Sequence, residues 1–372
     1  MTPKRHHLFV FIFPQLLLLL SLCAGPIQAA ESLRRSDSLF RFERQIPIPF
    51  SDSHPGKPTC LAIDSTGRLF VTCSLINEVR VFDPSGQFLF AFGGKTSAKK
   101  SPARKTSPAE KSSDNKSPGK KSPDEKSPGE KSSLSQNQTS LSQDQTRKGV
   151  LFEPSGIAID QRDRIYVSDL ALDTVSIYDP DGVFQDQFPI YQPKAEEKGR
   201  NACAPFISCN PADNLLYIPD ACNHLVGVYS LKGEYKDQFG TSGSEEGKLS
   251  GPAHIAFDSK GNIYIVDAGN YRIQSFTPGF RFRFAFGRSG TGEGEFIRAY
   301  DVAVDDKDRI YVSDFILNSV QVFNQKGEYL DSLRQADDSK TFSQPLGLAY
   351  AKNKVYVVNA ETKVVSVFDV SR

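Results

Sequence analysis

Tryptophan is absent from this 372-residue sequence, and methionine occurs only as its first residue. A binding cage built on Trp is therefore excluded. Histidine is scarce, with five in the chain, and no Cys-x-x-Cys or Cys-x-x-Cys-His motif occurs. These absences exclude Cys-x-x-Cys redox chemistry and c-type haem attachment. Phe and Tyr, in contrast, are plentiful at 27 and 13 residues, which is typical of a packed β-sheet core.

The first 30 residues have the order of a secretory signal peptide. A basic segment at residues 4–7 precedes an apolar run at residues 8–22, and small residues follow. Pro14 interrupts the run, and about 15 residues is short for a membrane span of roughly 20. We predict a signal peptide at residues 1–30 and a secreted or periplasmic protein. A lipid anchor on Cys23 is the alternative, although the residue before it is not small.

Charge is distributed unevenly along the chain. Residues 95–148 contain 13 Lys or Arg against 6 Asp or Glu, repeat the triplet Lys-Ser-Pro, and lack Phe, Tyr and Ile. Such a segment cannot bury enough apolar surface to offset its chain entropy, so we predict a disordered insertion. It is either a passive loop or a contact for an anionic surface. The folded remainder is mildly acidic, which argues against nucleic acid as the main partner.

Six related segments organise the rest of the chain. The clearest copies read EPSGIAIDQRDRIYVSDLALDTVSIYDPDGVFQDQF from Glu153 and GPAHIAFDSKGNIYIVDAGNYRIQSFTPGFRFRFAFG from Gly251. From the second copy onward the copies begin 46 to 51 residues apart, and the wider first gap holds the insertion. Their aligned opening positions are Pro58, Pro154, Pro205, Pro252, Ala299 and Pro345.

A complete copy divides into four short strands with alternating side chains, joined by turns such as Asp64–Gly67 and Asp258–Gly261, in which Gly supplies a positive φ. Four antiparallel strands make one blade of a propeller. We therefore predict an all-β, six-bladed β-propeller over residues 36–372. The last copy lacks its fourth strand, and we expect Ser38–Glu43 to pair beside Val364–Asp369 and close the ring.

The copies resemble NHL repeats. The resemblance is carried by the Pro-x-Gly-Ile-Ala-x-Asp opening, the Ile-Tyr-Val-x-Asp strand, and Asn-x-Arg-Ile-Gln-x-Phe at residues 270–276. Gly-rich segments at Phe239–Pro252 and Phe286–Phe296 add to it. It covers nearly all of residues 36–372 outside the insertion, and implies a propeller rather than a particular activity. RNA binding, known for some NHL propellers, fits poorly with export and an acidic body.

Four aspartates recur at the end of the second strand, and they form a ring of acidic groups. A repeated carboxylate is explained most simply by the repeat itself, because it accepts backbone N–H bonds from neighbouring loops. We therefore expect a structural role, and not a catalytic one, for Asp169, Asp220, Asp267 and Asp314.

Function is expected where the copies differ, on the loops at one rim of the channel. Two positions after the aligned opening stand Cys60, Gly156, Ile207, His254, Asp301 and Gly347. Phe206 and Tyr300 lie one position earlier in their copies. We predict a ligand-binding channel mouth that contains His254, Asp301, Tyr300, Arg298, Phe206 and His224.

The five cysteines after the signal peptide predict disulfides, because an exported chain folds in an oxidising compartment. Pairing Ile63 with Phe70 in the first hairpin would set Cys60 opposite Cys73. The other three cysteines predict a second rim disulfide and a buried free thiol, in the order Cys203–Cys222 and Cys209.

These observations favour a monomeric, exported scaffold that binds a protein or glycan partner. The alternative is a metal-dependent lyase or lactonase-type hydrolase at the channel mouth. Zinc sites use three or more protein ligands, and His254 alone of the histidines occupies a channel position. No metal ligands and no cofactor are therefore predicted, with Zn²⁺ or Ca²⁺ expected only under the alternative.

Overall fold

The computed structural model describes residues 40–51, 55–94, 148–190, 203, 205–333 and 342–372. These residues form six four-stranded antiparallel sheets, and the first strands of successive sheets contact one another around a closed ring. The predicted six-bladed propeller is confirmed. The predicted signal peptide, Cys23 and the predicted insertion up to residue 147 lie outside the described residues. Within the described residues, no helix is long and apolar enough to cross a membrane.

Strands are numbered in chain order, and five blades take four consecutive strands each. Blade I contains β2 (Pro58–Ile63), β3 (Leu69–Cys73), β4 (Glu78–Phe82) and β5 (Phe88–Phe92). Blade II contains β6 (Pro154–Ile159), β7 (Ile165–Asp169), β8 (Thr174–Tyr178) and β9 (Phe184–Pro189). Blade III contains β10 (Ser208–Asn210), β11 (Leu215–Asp220), β12 (Leu225–Ser230) and β13 (Tyr235–Phe239).

Blade IV contains β14 (Pro252–Phe257), β15 (Ile263–Asp267), β16 (Arg272–Phe276) and β17 (Phe282–Phe286). Blade V contains β18 (Ala299–Val304), β19 (Ile310–Asp314), β20 (Ser319–Phe323) and β21 (Tyr329–Ser332). Blade VI combines β22 (Pro345–Ala351), β23 (Lys354–Asn359) and β24 (Val364–Asp369) with β1 (Arg41–Pro47). Short 3₁₀ turns at Ser74–Ile76 and Ala268–Asn270 follow β3 and β15.

The second strand of a blade is its most deeply buried one. Every residue of β3, β7, β15 and β19 is buried, whereas the outer strands β5 and β13 are largely exposed. Side chains of a strand alternate between the two faces of its sheet, and a neighbouring blade covers each face. The second strand is therefore mostly apolar, and the polar residues near its end are buried and hydrogen-bonded, as Ser313 and Asp314 are.

Six apolar clusters form the core between the blades. Between blades I and II, Phe70 and Phe92 pack with Tyr178, and the ring centroids of Phe92 and Tyr178 are 4.6 Å apart. Between blades IV and V, the equivalent pair is Phe286 and Phe323, at 4.8 Å. The plentiful aromatic residues thus join each blade to the next.

β1 closes the ring by pairing with β24. The antiparallel pairing runs from Arg41, opposite Asp369, to Pro47, opposite Val364. Ile46 is buried in the cluster between blades VI and I. The predicted closure by an N-terminal strand is confirmed.

The predicted bounds of that strand, Ser38–Glu43, are wrong. Ile46 lies opposite Val365 in the same way that Phe92 lies opposite Val79 in blade I. The strand therefore begins three residues later than an alignment on Phe residues places it. An Ile occupies the buried position that Phe takes in blade I, and the aromatic pattern misplaced the strand for that reason.

The aspartates at the ends of the second strands hold the entering loops. Asp169 accepts backbone N–H bonds from Phe152 at 2.6 Å and Glu153 at 3.1 Å. Asp314 accepts equivalent bonds from Ile297 and Arg298 at 2.8 and 2.7 Å. Asp220 and Asp267 also accept N–H bonds from the segments that enter their blades. The structural role expected for the four aspartates is confirmed.

One of the two predicted disulfides is present. Cys203 is bonded to Cys222, with their Cα atoms 5.2 Å apart. The bond joins the segment that enters blade III to the loop after β11. An intramolecular disulfide indicates an oxidising compartment, in agreement with a location outside the cytoplasm.

The predicted Cys60–Cys73 disulfide is wrong, because both residues are free and buried. In the hairpin, Ala62 and not Ile63 lies opposite Phe70, and the register shifts before β2 reaches its central residues. A shift of one residue turns a side chain to the other face of the sheet. Cys73 therefore packs between blades VI and I, where burial raises its pKa to about 12.

Replacing Ile46 with Ala should destabilise the propeller by about 2–5 kcal/mol, because it leaves a cavity where the ring closes. The free energy of unfolding in urea measures this loss. The control is Val183→Ala, which truncates an aliphatic side chain that is 50% exposed and should cost less than about 0.5 kcal/mol. Equal losses in the two variants would contradict the assigned closure.

Replacing both Cys203 and Cys222 with Ser should lower the free energy of unfolding by about 3 kcal/mol, since the crosslink constrains the unfolded chain. Thermal unfolding with and without dithiothreitol provides the measurement. The reductant should lower the Tm of the wild type and leave that of the double variant unchanged. A wild-type Tm insensitive to reduction would argue against the bond.

Candidate functional site

One layer of the channel is formed by residues two positions after the aligned opening of each copy. In five of the six first strands the pairing with the second strand shifts register at or next to this position. Such a bulge re-aims the side chain at the point where it occurs. The layer consists of Cys60, Gly156, Ile207, His254, Asp301 and Gly347.

The two glycines of the layer let neighbouring blades approach closely. A Cβ atom at Gly347 would lie 2.7 Å from the Cα atom of Cys60 and 2.9 Å from the carbonyl oxygen of Thr59. A Cβ atom at Gly156 would lie 2.6 Å from the Cα atom of Phe206. Glycine is required at both positions because backbone atoms occupy the space of a side chain.

Three polar side chains of the layer form one chain of contacts. His254 Nδ1 lies 2.8 Å from Asp301 Oδ1, and its Nε2 lies 3.7 Å from Cys60 Sγ. The three residues come from blades IV, V and I, and each is at most 4% exposed. Hereafter they are called the channel triad. Repeat copies far apart in sequence thus meet at one point.

Asp301 is held in place from both sides of its carboxylate. Oδ1 accepts the backbone N–H of Val302 at 2.7 Å, and Oδ2 accepts that of Leu348 at 2.7 Å. The backbone N–H of Asp301 itself donates to Ser313 Oγ at 3.1 Å. These bonds fix the carboxylate, which in turn fixes the orientation of the His254 ring.

Burial and charge oppose each other at His254. Burial alone would lower the pKa of its imidazole, but the negative charges of Asp301 and Cys60 raise the pKa to about 10. The pKa of Tyr300 is raised, first by burial and then by the same two groups. At neutral pH, His254 is therefore protonated, and Tyr300 keeps its proton.

Aromatic residues lie at the rim side of the channel triad. The Phe206 ring lies 3.9 Å from the His254 ring and 5.3 Å from the Tyr300 ring, measured between centroids. Tyr300 contacts Phe315 edge-on, and the Arg298 guanidinium lies 5.9 Å from the Phe315 ring centroid. The structure thus brings five of the six predicted mouth residues into one connected group.

His224, the sixth predicted residue, lies apart from this group. Its Nδ1 accepts the backbone N–H of Gly251 at 3.0 Å, and its backbone is left-handed with φ of 56°. Among the described residues, no hydrogen bond, ion pair or ring contact joins His224 to the channel triad. It stabilises the junction of blades III and IV.

A cavity of about 190 Å³ adjoins the channel triad on the side away from the aromatic residues. Phe206 and Tyr300 do not line it. Its walls follow the first strands from the layer toward their far ends, where the lining residues become partly exposed. The walls are aliphatic apart from the channel triad, Ser208 and Cys209. Cys209 is a free thiol as predicted, only partly buried, and burial raises its pKa to about 12.

Cys60 was not predicted as a site residue. It occupies the same repeat position as His254 and Asp301, and in a ring of six, blade I lies opposite blade IV. That shared position was the available signal. The expected disulfide with Cys73 assigned the thiol elsewhere and obscured it.

No protein-family model matches the sequence, and no curated protein matches it significantly. Solved structures share its fold. A streptogramin B lyase is 14% identical, with 88% of this chain and 97% of that chain covered, at a TM-score of 0.53. A gluconolactonase from Xanthomonas campestris is 11% identical, with 88% and 90% covered, at 0.55.

A catalytically inactive virginiamycin B lyase from Staphylococcus aureus with quinupristin is 10% identical, with 89% and 99% of the two chains covered, at a TM-score of 0.53. At identities this low the likeness shows a shared six-bladed propeller fold. The resemblance to NHL repeats stays a prediction.

The channel triad predicts how stability varies with pH. The pKa of His254 in the fold, about 10, exceeds its ordinary value of 6.5. Protonated His254 therefore stabilises the fold fully below about pH 6.5, and this contribution is lost as the pH rises toward 10. Relative to His254→Gln, the wild type should lose stability over that range in urea unfolding. Asp301→Asn should weaken this dependence of stability on pH. Parallel curves of unfolding free energy against pH for the wild type and His254→Gln would contradict the prediction.

Proposed function

We propose that this protein is an enzyme whose reaction takes place in the propeller channel, at the channel triad. The observation that carries this proposal is the buried chain of contacts from Cys60 Sγ through the His254 ring to the Asp301 carboxylate. Burial of three ionisable groups is costly unless they are paired. Their convergence from three blades at the wall of a cavity is typical of a catalytic site.

The geometry supports acid–base chemistry by His254. Its Nδ1 faces Asp301, so Nε2 is the nitrogen directed toward Cys60 and available for proton transfer. A carboxylate at Nδ1 selects this tautomer and stabilises the imidazolium. Asp301 is the positioning residue, because two backbone N–H groups hold its carboxylate in place.

A metal ion fits this donor set less well. The 3.7 Å between Cys60 Sγ and His254 Nε2 is compatible with ligation of one ion by both atoms. Asp301 would have to be the third ligand, although its oxygens already accept bonds from His254, Val302 and Leu348. Two unengaged ligand atoms fall short of the three that catalytic zinc sites use. We therefore propose an enzyme that acts at the channel mouth, as the alternative from the sequence does, but that requires no metal.

The reaction class that we propose is hydrolysis of a small molecule. Solved structures of the same fold include proteins described as lyases and a gluconolactonase, which supports a channel site without identifying its substrate. We further propose that the chain is an NHL-type propeller, secreted or periplasmic. The internal repeats support the first statement, and the Cys203–Cys222 disulfide supports the second.

A binding scaffold for a protein or glycan is the second candidate function. Loops that follow the second strands of blades I, IV and V expose large apolar side chains, with Leu75 67%, Tyr271 41% and Ile316 53% exposed. These side chains lie on loops at one rim and are available for contact with a partner. A partner that binds the wild type but not a variant with Leu75 and Ile316 replaced by Ser would support the scaffold function.

Turnover of a panel of small esters, thioesters and lactones tests the enzyme proposal. The wild type should turn over at least one of them, and His254→Gln should reduce the rate at least about 100-fold, because general acid–base catalysis contributes about that much. Asp301→Asn should reduce it as well, and chelation with EDTA should not.

The matched control is Glu328→Gln, which also neutralises a carboxylate of blade V, on its exposed outer turn. It should retain wild-type turnover. An inactive wild type across the panel, or full activity in His254→Gln, would overturn the proposal.

A further inference from the structure

We propose that Cys60 is the nucleophile of the channel triad, and that it is acylated by a small ester, thioester or lactone with an apolar acyl group. This inference rests on the proposed function and adds a covalent step to it. The substrate would enter through the cavity, from the end of the channel opposite the aromatic rim.

The arrangement around Cys60 is that of an activated thiol. A nucleophile needs a base within reach, and the base needs a group that orients it. Cys60 Sγ lies 3.7 Å from His254 Nε2, and Asp301 Oδ1 lies 2.8 Å from the other ring nitrogen. His254 can therefore take the thiol proton while Asp301 stabilises the imidazolium.

The other free thiols of the described chain lack such a partner. Cys73 lies in the core between blades VI and I, and its thiol contacts the carbonyl oxygen of Val71 at 3.7 Å. Cys209 lines the same cavity as Cys60, but its nearest charges include Asp160 and Asp213, which raise its pKa further after burial has done so. Cys60 is distinguished from both by the imidazole beside it.

The proposed reaction consumes only the substrate and one water molecule. The Cys60 thiolate attacks the acyl carbon, a C–S bond forms, and the C–O or C–S bond to the leaving group breaks. The leaving group takes the proton held on His254 Nε2. Water then gives a proton back to neutral His254 as its oxygen bonds to the acyl carbon. The thioester C–S bond breaks, and thiolate and imidazolium are restored.

The cavity restricts the substrate to a small acyl group. Its volume of about 190 Å³ lies below the range of about 300–1,000 Å³ that is typical of pockets for drug-sized ligands. Apart from the channel triad, Ser208 and Cys209, its walls are Ile, Leu, Val and Ala side chains. An aliphatic acyl chain matches these walls, whereas a charged or sugar-like group would leave its polar atoms unpaired.

Alkylation of the intact wild-type chain by iodoacetamide tests the state of Cys60 without a substrate. An ordinary thiol with a pKa of about 8.5 is about 1% thiolate at pH 6.5. A Cys60 thiolate paired with imidazolium should react on the order of tenfold faster than an ordinary thiol at this pH, after allowance for its lower intrinsic nucleophilicity. Mass mapping follows Cys60 with Cys209 and Cys73 as slow internal controls.

The groups that face His254 are Asp301, Cys60 and Tyr300, and the variants separate their effects. His254→Gln should lower the Cys60 alkylation rate at pH 6.5 at least about tenfold and move its pH profile to alkaline pH. Asp301→Asn should move the pH profile of Cys60 alkylation in the same direction, but by a smaller amount. Cys60 that reacts only above about pH 8.5 in the wild type, or that does not react at all, would overturn the inference.

Capture of an acyl group separates this inference from the proposed function. With a panel substrate that is turned over, brief incubation should leave an acyl mass on the peptide that contains Cys60, and Cys60→Ser should abolish it with at least about 100-fold loss of turnover. Turnover retained in Cys60→Ser would overturn the nucleophile and leave the enzyme proposal standing. A low-pH reactive Cys60 with no turnover and no acyl mass on any panel member would overturn the enzyme proposal and the acylation of Cys60 with it, and would leave only the activated thiol.

Discussion

Pairing between β1 and β24 is the interaction on which the rest of the structure depends. It supplies the fourth strand of blade VI and covers an edge that would otherwise expose unpaired backbone groups. Contacts across the channel exist only when the ring is closed. Cys60 and His254 are 194 positions apart in sequence and belong to blades I and IV, yet they are neighbours in space. The channel triad is therefore a property of the closed ring and of no single blade.

Two backbone features convert a repeated strand into a site. Register shifts near the start of the first strands re-aim one side chain per blade, and the same shift recurs in five blades. Gly347 then allows the backbones of blades VI and I to approach closely, and Cys60 contacts His254 on the opposite side of the channel. The repeat thus provides equivalent positions, and differences in side chain at those positions provide chemistry.

The sequence was sufficient to predict the parts of the fold that repeat. The spacing of copies gave six blades, and the recurring aspartates were correctly assigned to loop anchoring. The site was predicted only in part, because Cys60 was paired with Cys73 on an assumed regular hairpin. A local bulge, invisible in an alternating pattern, changed the register. The cavity could not be predicted from the sequence either, because its shape depends on how side chains from six strands pack together.

Strand exchange between the two ends imposes an order on biosynthesis. Arg41 and Asp369 are 328 positions apart, so a ribosome that has released β1 must complete the other blades before β1 has its partner. Until then the nascent chain carries an unpaired edge, and non-local pairing of this kind forms slowly. A chain arrested before β24 would lack the ring and, with it, every contact between blades I and IV. Closure of the ring therefore depends on synthesis of the last blade.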